Sequence, residues 1–574
     1  MQLTQERWKN KMKVIIVGGV AGGATAAARI RRLDEHAEIT VFERSGYISY
    51  ANCGLPYYIG DVITDPEELT LQTPESFFKR FRINMKIHHE VISIHPERKT
   101  VSVKNLENGE IFEENYDKLI LSPGAKPTQP RLPGVGMDKL FTLRTVEDTF
   151  RIKEYINKNH PKSAVLAGGG FIGLELAENL RELGMDVTIV QRPKQLMNPF
   201  DPDMASMIHN EMRKHGIKLV LGYTVEGFKE KDNGVEVLLK DNPSLQADMV
   251  VLAIGVTPDT ALAKEAGLEL GIKGSIVVND RMETSVPDIY AAGDAVQVKH
   301  YVTGNDALIS LAGPANKQGR IIADNICGGD SHYLGSQGSS VIKVFDMTAA
   351  TTGINETNAK KSGLDVDTVI LSPMSHAGYY PGGKVMTMKV VFEKETYRLL
   401  GAQIIGYEGV DKRIDVLATA IHAALNATQL KDLDLAYAPP YSSAKDPVNM
   451  AGFMIDNIAK GTLKQWHLED MDKISKDKDV VLLDVRTVGE FSMGHIDGFK
   501  NIPVDELRER ISEIEKGKPV YLICQSGLRS YIASRILEGN GYETYNFSGG
   551  FRFYDAVVND RALIESAYSC GMDQ

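Results

Sequence analysis

Two glycine-rich segments, each lying between an apolar run and a helix-like run, constrain the fold of this chain more than any other feature. The first reads MKVIIVGGVAGGATAAARIRRL (12–33) and the second reads SAVLAGGGFIGLELAENL (163–180). A strand, a tight glycine turn and a helix in this order form a βαβ unit, in which free N–H groups at the helix N-terminus face a pyrophosphate. Two such units in one chain predict an α/β fold that binds two dinucleotides.

The two segments differ in how closely they follow the GxGxxG spacing. The second has all three glycines, at Gly168, Gly170 and Gly173, whereas the first has Val20 at the middle position. The strand after the first segment, EITVFE, ends at Glu43, where an acid can accept both hydroxyls of an adenosine ribose. The first segment therefore remains a predicted nucleotide site.

The strand after the second segment carries no such acid. It reads DVTIVQR and ends at Gln191 and Arg192. An acid at this point favours NADH, and an arginine can meet the 2′-phosphate of NADPH. The sequence leaves the choice between NADH and NADPH open.

Length and charge narrow the function classes further. A chain of 574 residues is too long for one hydrophobic core, which predicts several domains. The net charge of −11 disfavours nucleic acid as a partner. The first apolar run, 14–28, is interrupted by glycines and is too short to span a bilayer, and the polar residues before it do not form a secretory signal. No membrane partner is expected.

The four cysteines lie far apart, without a CxxC pair or the His/Cys spacing of a metal site. They are Cys53, Cys327, Cys524 and Cys570. This pattern predicts individually reactive thiols in a reducing compartment, the cytoplasm, and no bound metal. Cys327 and Cys570 have no motif around them and receive no predicted role.

Three further stretches make a family resemblance specific. They are LILSPGAKP (119–127), VLAIGVTPDT (251–260) and DIYAAGDA (288–295). Together with the two glycine segments, they make the chain resemble the two-dinucleotide flavoprotein disulfide reductases over roughly its first 330 residues. The resemblance implies FAD and NAD(P)H as cofactors, and a hydrogen bond between Asp294 and the flavin ribityl chain. The cofactor contacts predicted from these motifs are Gly18, Gly19, Ala21, Gly22, Gly23, Glu43, Arg44, Gly124, Gly168, Gly170, Phe171, Gly173, Gly255, Gly293 and Asp294.

Cys53 decides which branch of this family the chain resembles. It stands in SYANCGLPYYIGD (49–61), where glutathione-reductase-like members carry a CxxxxC pair. Because the second cysteine is missing, a redox role for Cys53 requires a sulfur from outside the chain. The branch with one cysteine contains coenzyme A disulfide reductases, persulfide reductases, and NADH oxidases and peroxidases that cycle a sulfenic acid. The motif resembles the first two most closely.

The chemistry expected of Cys53 follows from its surroundings. A thiolate beside a flavin and a helix N-terminus is predicted to have a lowered pKa and to be nucleophilic at neutral pH. It would attack an external disulfide or persulfide, and electrons from NAD(P)H through FAD would release the product. Ser49 and Asn52 are expected to orient the sulfur and its partner.

Coenzyme A is the predicted carrier of the external sulfur. Thr25, Arg29 and Arg32 follow at four- and three-residue spacing and share one face of the first helix. Two guanidinium groups there can hold the phosphates of an ADP moiety. The family resemblance also places substrate contacts at these three positions.

A region carrying paired tyrosines follows the nucleotide-binding part and resembles the dimerisation domain of the family. It contains SHAGYYPGG (375–383) and LAYAPPYSSAKDPVN (435–449). The resemblance implies a homodimer in which tyrosines of such segments reach the partner's cysteine and flavin. A phenol there can donate a hydrogen bond or a proton to the leaving thiolate. The matching residues are Tyr379 or Tyr380, Tyr437 and the substrate-binding Lys445, and strand alternation would point Tyr379 and Tyr380 oppositely, which leaves that choice open.

The last part of the chain carries a second candidate cysteine site. A strand runs into Cys524-Gln-Ser-Gly-Leu-Arg529 and then into a helix, so the loop N–H groups turn inward around the sulfur. This cradle is predicted to lower the pKa of Cys524 and to hold a persulfide. The loop, with DVR (484–486) and GHI (494–496), resembles single-domain rhodaneses, which implies catalytic roles for Cys524 and Arg529.

The predicted architecture has four parts. Two Rossmann-like α/β domains bind FAD and NAD(P), an α+β domain mediates dimerisation, and a C-terminal α/β domain is a rhodanese. The predicted bounds are 12–150 and 262–333 for the FAD domain, 151–261 for the NAD(P) domain, 334–460 for the dimerisation domain, and 461–574 for the linker and the rhodanese domain.

The predicted activity is FAD-dependent reduction of coenzyme A persulfide, polysulfide or disulfide by NAD(P)H through Cys53, coupled to sulfane-sulfur handling by the rhodanese domain. The sequence leaves the preference between disulfide and persulfide open. Two alternatives also remain: an NADH oxidase or peroxidase that uses a sulfenic acid at Cys53, and a sulfur carrier or redox sensor.

Overall fold

The computed structural model describes residues 11–231 and 234–569. Cys570 lies outside the described residues. So does most of the polar N-terminal stretch, for which the sequence predicts no secretory signal. Within the described parts, no helix has the length and the apolar character needed to cross a membrane.

The first of two compact units, formed by residues up to 192 and by 224–338, contains two parallel sheets. In one of them the strand Lys13–Val17 is central, and its inner residues Val14, Ile15 and Ile16 are completely buried. Such a continuous apolar run is typical of a parallel strand covered on both faces. The strands of this sheet are, from edge to edge, Ile289–Ala291, Lys118–Leu121, Lys13–Val17, Glu38–Phe42 and Asn84–Lys86.

The second parallel sheet is built on the second glycine segment. The strand Ser163–Ala167 pairs in parallel with Asp186–Gln191 on one side and with Met249–Leu252 on the other. Leu140–Thr142 extends the sheet beyond Met249–Leu252. The helices of this unit are Ala21–Leu33, Leu55–Ile59, Pro74–Phe81, Val146–Asn159, Phe171–Glu182, Ala261–Glu265 and Ala312–Ile326.

Short antiparallel pairings complete the first unit. Ala125–Pro127 pairs with Val256–Pro258, which joins two of the stretches that carry the family resemblance, 119–127 and 251–260. The other antiparallel strands are His89–His95 with Thr100–Asn105 and Ile111–Asn115, Val225–Lys231 with Gly234–Leu239 and Asn242–Ala247, and Val298–Lys299 with Asp306–Ala307.

The second unit, formed by 193–223 and by residues from 339 onward, begins with a helix and a short strand and continues into an antiparallel sheet. The helix is Pro202–Lys214 and the strand is Lys218–Leu221. The antiparallel sheet has the order Ser340–Val344, Met347–Gly353, Leu399–Gly406, Met386–Glu393 and Val366–Leu371. Its helices are Glu356–Lys361, Val410–His422 and Pro447–Ala459.

A parallel sheet follows in the C-terminal part of the same unit. Its order is Gln465–Trp466, Thr544–Phe547, Val520–Ile523, Val481–Asp484 and Lys500–Asn501, with the helices Met471–Ile474, Val488–Met493, Leu528–Glu538 and Gly550–Ser569. Two parallel sheets in the first unit, an antiparallel sheet with helices, and a C-terminal parallel sheet confirm the predicted fold class.

The edge of the antiparallel sheet is covered by the C-terminal part of the chain. Val366–Leu371 is an edge strand, and its outward backbone groups would otherwise lack partners. The Ser548 hydroxyl accepts a hydrogen bond from the Ile370 N–H at 3.1 Å, and the Gln465 amide donates to the Thr368 carbonyl at 2.7 Å. These side chains therefore pair with the exposed backbone edge of the strand.

A buried lysine joins three segments of the second unit. The Lys389 Nζ lies 2.7 Å from a carboxylate oxygen of Asp203 and of Glu356, and 3.2 Å from one of Asp201. Burial opposes the charge of Lys389, but the three carboxylates outweigh it and raise its pKa above the ordinary value. The cluster is held by opposite charges, of which Lys389 and Asp201 are buried and Asp203 and Glu356 are half-buried.

Candidate active site

The first glycine turn leaves no room for side chains where the helix meets the strand. Gly18 has a φ of +97°, and a Cβ added there would lie 2.1 Å from the Ser122 carbonyl oxygen. A Cβ on Gly23 would lie 1.9 Å from the carbonyl oxygen of Gly18. Only glycine therefore allows the helix Ala21–Leu33 to approach the strand this closely.

The N-terminus of this helix is free to hold an anion. No side chain caps it and its first turn has no acidic residue, so its N–H groups and positive dipole end are available to a pyrophosphate. The buried Glu43 accepts hydrogen bonds from the N–H of Gly19 and of Ser45, each at 2.9 Å. Ala21 and Gly22 are the first two residues of the helix. The residues at this turn therefore fit the adenosine and pyrophosphate parts of a dinucleotide.

The second glycine turn repeats this geometry. Gly168 has a φ of +119°, and an added Cβ would lie 2.2 Å from the Ala253 carbonyl oxygen, as would a Cβ on Gly173 from that of Gly168. The helix Phe171–Glu182 also begins without a side-chain cap or an acid in its first turn. A Cβ on Gly170 would meet no atom within 4 Å, so the space in front of this turn is open.

Gln191 takes the position that the acid has in the first unit. Its Oε1 accepts a hydrogen bond from the Gly169 N–H at 3.1 Å, as Glu43 does from Gly19. Arg192 is exposed. The geometry leaves the choice between NADH and NADPH open, because a neutral amide neither repels a 2′-phosphate nor holds it.

Arg144 connects the cysteine turn to the predicted flavin contact Asp294. Its guanidinium pairs with the Asp294 carboxylate at 2.7 Å. The Asn52 amide, oriented to satisfy both of its groups, donates to the Arg144 carbonyl at 2.9 Å and accepts from Arg144 Nη1 at 3.2 Å. Gly124, also predicted, lies against the same guanidinium, since an added Cβ would be 3.6 Å from Nη2. The sequence analysis missed Arg144, which follows a short strand and belongs to no motif.

The remaining predicted cofactor contacts differ in their surroundings. Gly255, with a φ of +108°, faces open space, and Gly293, with a φ of +81°, lies near the Ser122 hydroxyl. Arg44 instead forms an ion pair with Asp259 at 2.8 Å and is half exposed. A cofactor contact of Arg44 would have to share the guanidinium with this carboxylate.

Cys53 is accessible in the first unit. It lies in the 3₁₀ turn Asn52–Gly54, which leads directly into the helix Leu55–Ile59, and its side chain is exposed. Ser49 adopts a φ of +46°, and its N–H donates to the Gly19 carbonyl at 2.9 Å. This bond holds the segment before Cys53 against the first glycine turn.

The prediction of a lowered pKa for Cys53 is wrong, because the groups of the protein itself raise this pKa above its ordinary value. Partial removal of water raises the pKa of the thiol, and the Glu175 carboxylate raises it further. Arg144 opposes this shift, whereas Asp294 adds to it. The prediction rested on a flavin and a helix N-terminus beside the sulfur, and it did not include the carboxylates that the fold brings near it.

Glu175 is a second residue that the sequence analysis missed. It lies on the helix Phe171–Glu182, where burial and, to a smaller extent, Glu178 raise its pKa to about 7. Burial, Glu175, Glu178 and Cys53 together raise the pKa of Tyr57 to about 12. A carboxyl group that titrates near neutral pH therefore lies in the electrostatic field of the cysteine.

The tyrosines of the second unit separate into a pair and a packed residue. The hydroxyls of Tyr379 and Tyr437 share a hydrogen bond at 2.7 Å, and Tyr379 is 76% exposed. Tyr380 packs edge-on against the ring of His376 at a centroid distance of 5.6 Å. Tyr379 and Tyr380 lie in a turn and not in a strand, so strand alternation does not determine where they point. Lys445 is exposed just before the helix Pro447–Ala459.

The predicted coenzyme A face is partly occupied by partners within the protein. The Thr25 hydroxyl donates to the Asn316 side chain at 2.8 Å, and Arg29 forms an ion pair with Asp324 at 2.8 Å. Arg32 is exposed on the same helix. A phosphate could reach Arg32 directly but would share Arg29 with a carboxylate.

The second cysteine site has the predicted cradle. Cys524 is buried between the strand Val520–Ile523 and the helix Leu528–Glu538. Its sulfur accepts hydrogen bonds from the Gly527 N–H at 3.1 Å and from the Ser530 hydroxyl at 3.2 Å. Ser530 was not predicted, since it follows the six-residue loop.

Arg529 does not stand free at the end of this loop. Its two terminal nitrogens donate to the two carboxylate oxygens of Glu490, each at 2.7 Å. Arg529 and the hydrogen bonds from Thr487 outweigh partial burial and lower the pKa of Glu490 to about 2. Glu490 was missed because it lies 39 residues before Arg529 and meets it only in the fold.

The DVR motif has a supporting role in this arrangement. Arg486 is buried and donates to the Asp484 carboxylate at 2.7 Å and to the Gly494 carbonyl at 2.8 Å. Its guanidinium stacks on the Phe551 ring at 3.7 Å.

Among the described residues, no group of three or more His, Cys, Asp or Glu could hold a metal ion.

Three family descriptions match consecutive parts of this chain. Residues 12–319 match the pyridine nucleotide-disulphide oxidoreductases. Residues 339–447 match the dimerisation domain of the same family, and residues 467–556 match the rhodanese-like domain. The order of the matches is the order that the sequence predicts.

Individual proteins extend these matches. The coenzyme A disulfide reductase of Staphylococcus aureus (strain JH9) is 39% identical over 442 residues, which cover 77% of this chain and 99% of that protein. The solved structure of reduced CoADR-RHD from Bacillus anthracis is 48% identical with a TM-score of 0.94, and covers 96% of this chain and 99% of that chain. The NAD-dependent persulfide reductase of A. fulgidus is 39% identical with a TM-score of 0.89, and covers 95% of this chain and 100% of that chain.

Proposed function

Since this chain belongs to the pyridine nucleotide-disulphide oxidoreductase family and carries a rhodanese domain, we propose that it reduces coenzyme A persulfide, polysulfide or disulfide with NAD(P)H through Cys53. The observation that carries the proposal is the exposed Cys53 beside the network of Asn52, Arg144 and Asp294. No second cysteine lies in its turn, so the sulfur that it exchanges comes from the substrate.

The residues of the two glycine turns fit the cofactors of the family. Gly18 to Gly23 and Glu43 would hold the adenosine and pyrophosphate of FAD, with Asp294 at the ribityl chain. Gly168 to Gly173 would hold NADH or NADPH, with Gln191 at the adenosine ribose. The flavin, when bound, supplies two-electron transfer between the nicotinamide and a thiol.

The protein's own groups then carry the thiol chemistry. The Cys53 thiolate attacks the outer sulfur of the substrate, forming a new S–S bond while the bond between that sulfur and the carrier breaks. The carrier sulfur leaves with the electron pair of the broken bond and takes a proton. Tyr379 and Tyr437 share a hydrogen bond that can supply this proton. The pair serves Cys53 of the opposite subunit in the homodimer that we propose.

The domain bounds are proposed as the sequence analysis has them, with FAD domain 12–150 and 262–333, NAD(P) domain 151–261, dimerisation domain 334–460 and rhodanese part 461–574. The match to a dimerisation domain supports the homodimer. The widely spaced cysteines support a reducing, cytoplasmic location.

Substitution of Cys53 tests the reductase. Cys53→Ser is expected to lower NAD(P)H oxidation with coenzyme A persulfide or disulfide at least about a thousandfold, because no sulfur remains to form the exchange bond. Oxidation of NAD(P)H is followed by absorbance without oxygen, and flavin absorbance checks that the variant is loaded. Cys327→Ser, at a half-buried cysteine without a motif, is the matched control and should keep full activity. Undiminished turnover of Cys53→Ser would rule the proposal out.

The same assays separate the two alternatives. Rapid consumption of oxygen or peroxide without a thiol substrate would identify an NADH oxidase or peroxidase. Slow turnover of every small thiol, with persulfide passed to a protein, would identify a carrier or sensor. For the rhodanese role, Cys524→Ser should keep the reduction of free coenzyme A disulfide while abolishing sulfur transfer from a persulfide.

A further inference from the structure

Glu490 neutralises the cation that closes the Cys524 loop. Both terminal nitrogens of Arg529 are bound to the two oxygens of Glu490, so the pair is bidentate. Glu490 is itself fixed, because its Oε2 accepts hydrogen bonds from the N–H and the hydroxyl of Thr487, each at 2.9 Å. The carboxylate is therefore a built part of the loop and not a mobile surface group.

Two donors of the cradle are directed at the sulfur of Cys524. They are the Gly527 N–H at 3.1 Å and the Ser530 hydroxyl at 3.2 Å, and the hydroxyl also lies 3.1 Å from the Gly527 carbonyl oxygen, so neither donor is free for the charge of an incoming donor molecule. A dianionic donor would bring two more negative charges to a loop whose arginine is already paired. A persulfide with an uncharged or singly charged sulfane end avoids most of this repulsion.

Exposed apolar residues close in sequence to Glu490 and Arg529 also favour an organic donor. Val488 and Met493 lie within three residues of Glu490, Leu528 precedes Arg529, and the three are 63%, 84% and 65% exposed. Arg552 is another cation beside the loop, since its N–H donates to the Gln525 carbonyl at 3.2 Å. Its side chain is exposed, so solvent and salt screen its charge.

We propose that Glu490 determines the substrate class of the rhodanese site: the loop takes sulfur from organic persulfides and rejects dianionic donors such as thiosulfate. The Cys524 thiolate attacks the outer sulfur of R–S–SH and forms a persulfide, Cys524–S–SH, while the S–S bond of the donor breaks and RS⁻ leaves with its electron pair. No external oxidant or reductant is needed. The inference rests on the proposed sulfane-sulfur role of Cys524.

The test compares sulfur donors in the full-length chain with the reductase silenced by Cys53→Ser. Transfer to cyanide from glutathione persulfide and from thiosulfate is measured as thiocyanate without NAD(P)H, and mass spectrometry follows the sulfur added to Cys524. Glu490→Gln is expected to raise kcat/KM for thiosulfate by about tenfold, because it frees the charge of Arg529, while the persulfide value changes little. Glu490→Asp keeps the charge and should keep the discrimination.

Matched variants separate charge at this loop from charge elsewhere. Glu513→Gln removes another glutamate that pairs with an arginine, Arg510, and should leave the donor ratio unchanged. Arg552→Gln should also leave it unchanged, and a large loss of thiosulfate transfer there would overturn the assignment to Glu490. An unchanged donor ratio in a folded Glu490→Gln variant would likewise overturn it. No sulfur on Cys524 from any donor would instead refute the sulfane-sulfur role on which it rests.

Discussion

At the scale of single residues, the reactivity of Cys53 depends on opposing charges from separate segments. Arg144 lowers the pKa of the thiol, whereas Glu175 and Asp294 raise it in addition to partial burial. A raised pKa means less thiolate at neutral pH and a reactivity that increases as pH rises. The reaction therefore depends on the protonation of Glu175, whose own pKa is raised to about 7.

Glu175→Gln is expected to lower the pKa of Cys53, because it removes the carboxylate that raises this pKa most. The pH midpoint for alkylation of Cys53 by iodoacetamide in the NAD(P)H-reduced enzyme should fall by roughly one unit. Glu182→Gln changes an exposed glutamate at the end of the same helix and should leave the midpoint in place. Equal midpoints in both variants would show that Glu175 does not influence the sulfur.

What the sequence could predict at this scale depended on local spacing. Glu43 and Cys524 stand in motifs whose chemistry is readable from neighbouring residues. In the structure Glu43 accepts a hydrogen bond from the first glycine turn, and the Cys524 sulfur accepts one from its loop. Arg144 and Glu175 act on Cys53 from other segments, and Glu490 binds Arg529 from another segment, so no local pattern predicted them.

At the scale of elements, the glycine turns have two different physical demands. Gly23 is required by close packing between a helix and a strand, whereas Gly170 faces open space. The sequence predicted both strand–turn–helix units, because apolar strands and glycine turns are local. It failed at Tyr379 and Tyr380, where it assumed a strand and the chain forms a turn.

This difference predicts that an alanine will affect the folding of one turn and the nucleotide binding of the other. Gly23→Ala is expected to destabilise the first unit by about 1–3 kcal/mol, since its Cβ would collide with the Gly18 backbone. Gly170→Ala should fold normally and weaken only NAD(P)H binding, because its methyl group would occupy the space predicted for the pyrophosphate. Thermal melting and nucleotide titration distinguish the two. A melting loss in Gly170→Ala as large as that in Gly23→Ala would contradict the assignment of the open turn.

At the scale of the whole molecule, buried charge joins segments that are distant in sequence. Lys389→Met would leave the buried Asp201 and the half-buried Asp203 without this cation, while Glu356 keeps Lys360 as a partner, and the loss costs about 3–5 kcal/mol of stability. Chemical denaturation of the flavin-loaded protein measures the change. Lys394→Met removes an exposed lysine paired with Asp365 and should be nearly neutral. An unchanged free energy of unfolding in Lys389→Met would mean that the cluster does not stabilise the fold.

The C-terminal part of the chain protects the edge strand Val366–Leu371 through the contacts described above. Without Ser548 and Gln465, the Ile370 N–H and the Thr368 carbonyl would lack hydrogen-bond partners. Such an unpaired strand edge can pair with a strand of another molecule. A gene shortened before this module would therefore yield a protein prone to self-association even if both nucleotide sites survived. A shortened variant without the rhodanese-like domain would need a proline or a lysine on this strand to prevent such pairing.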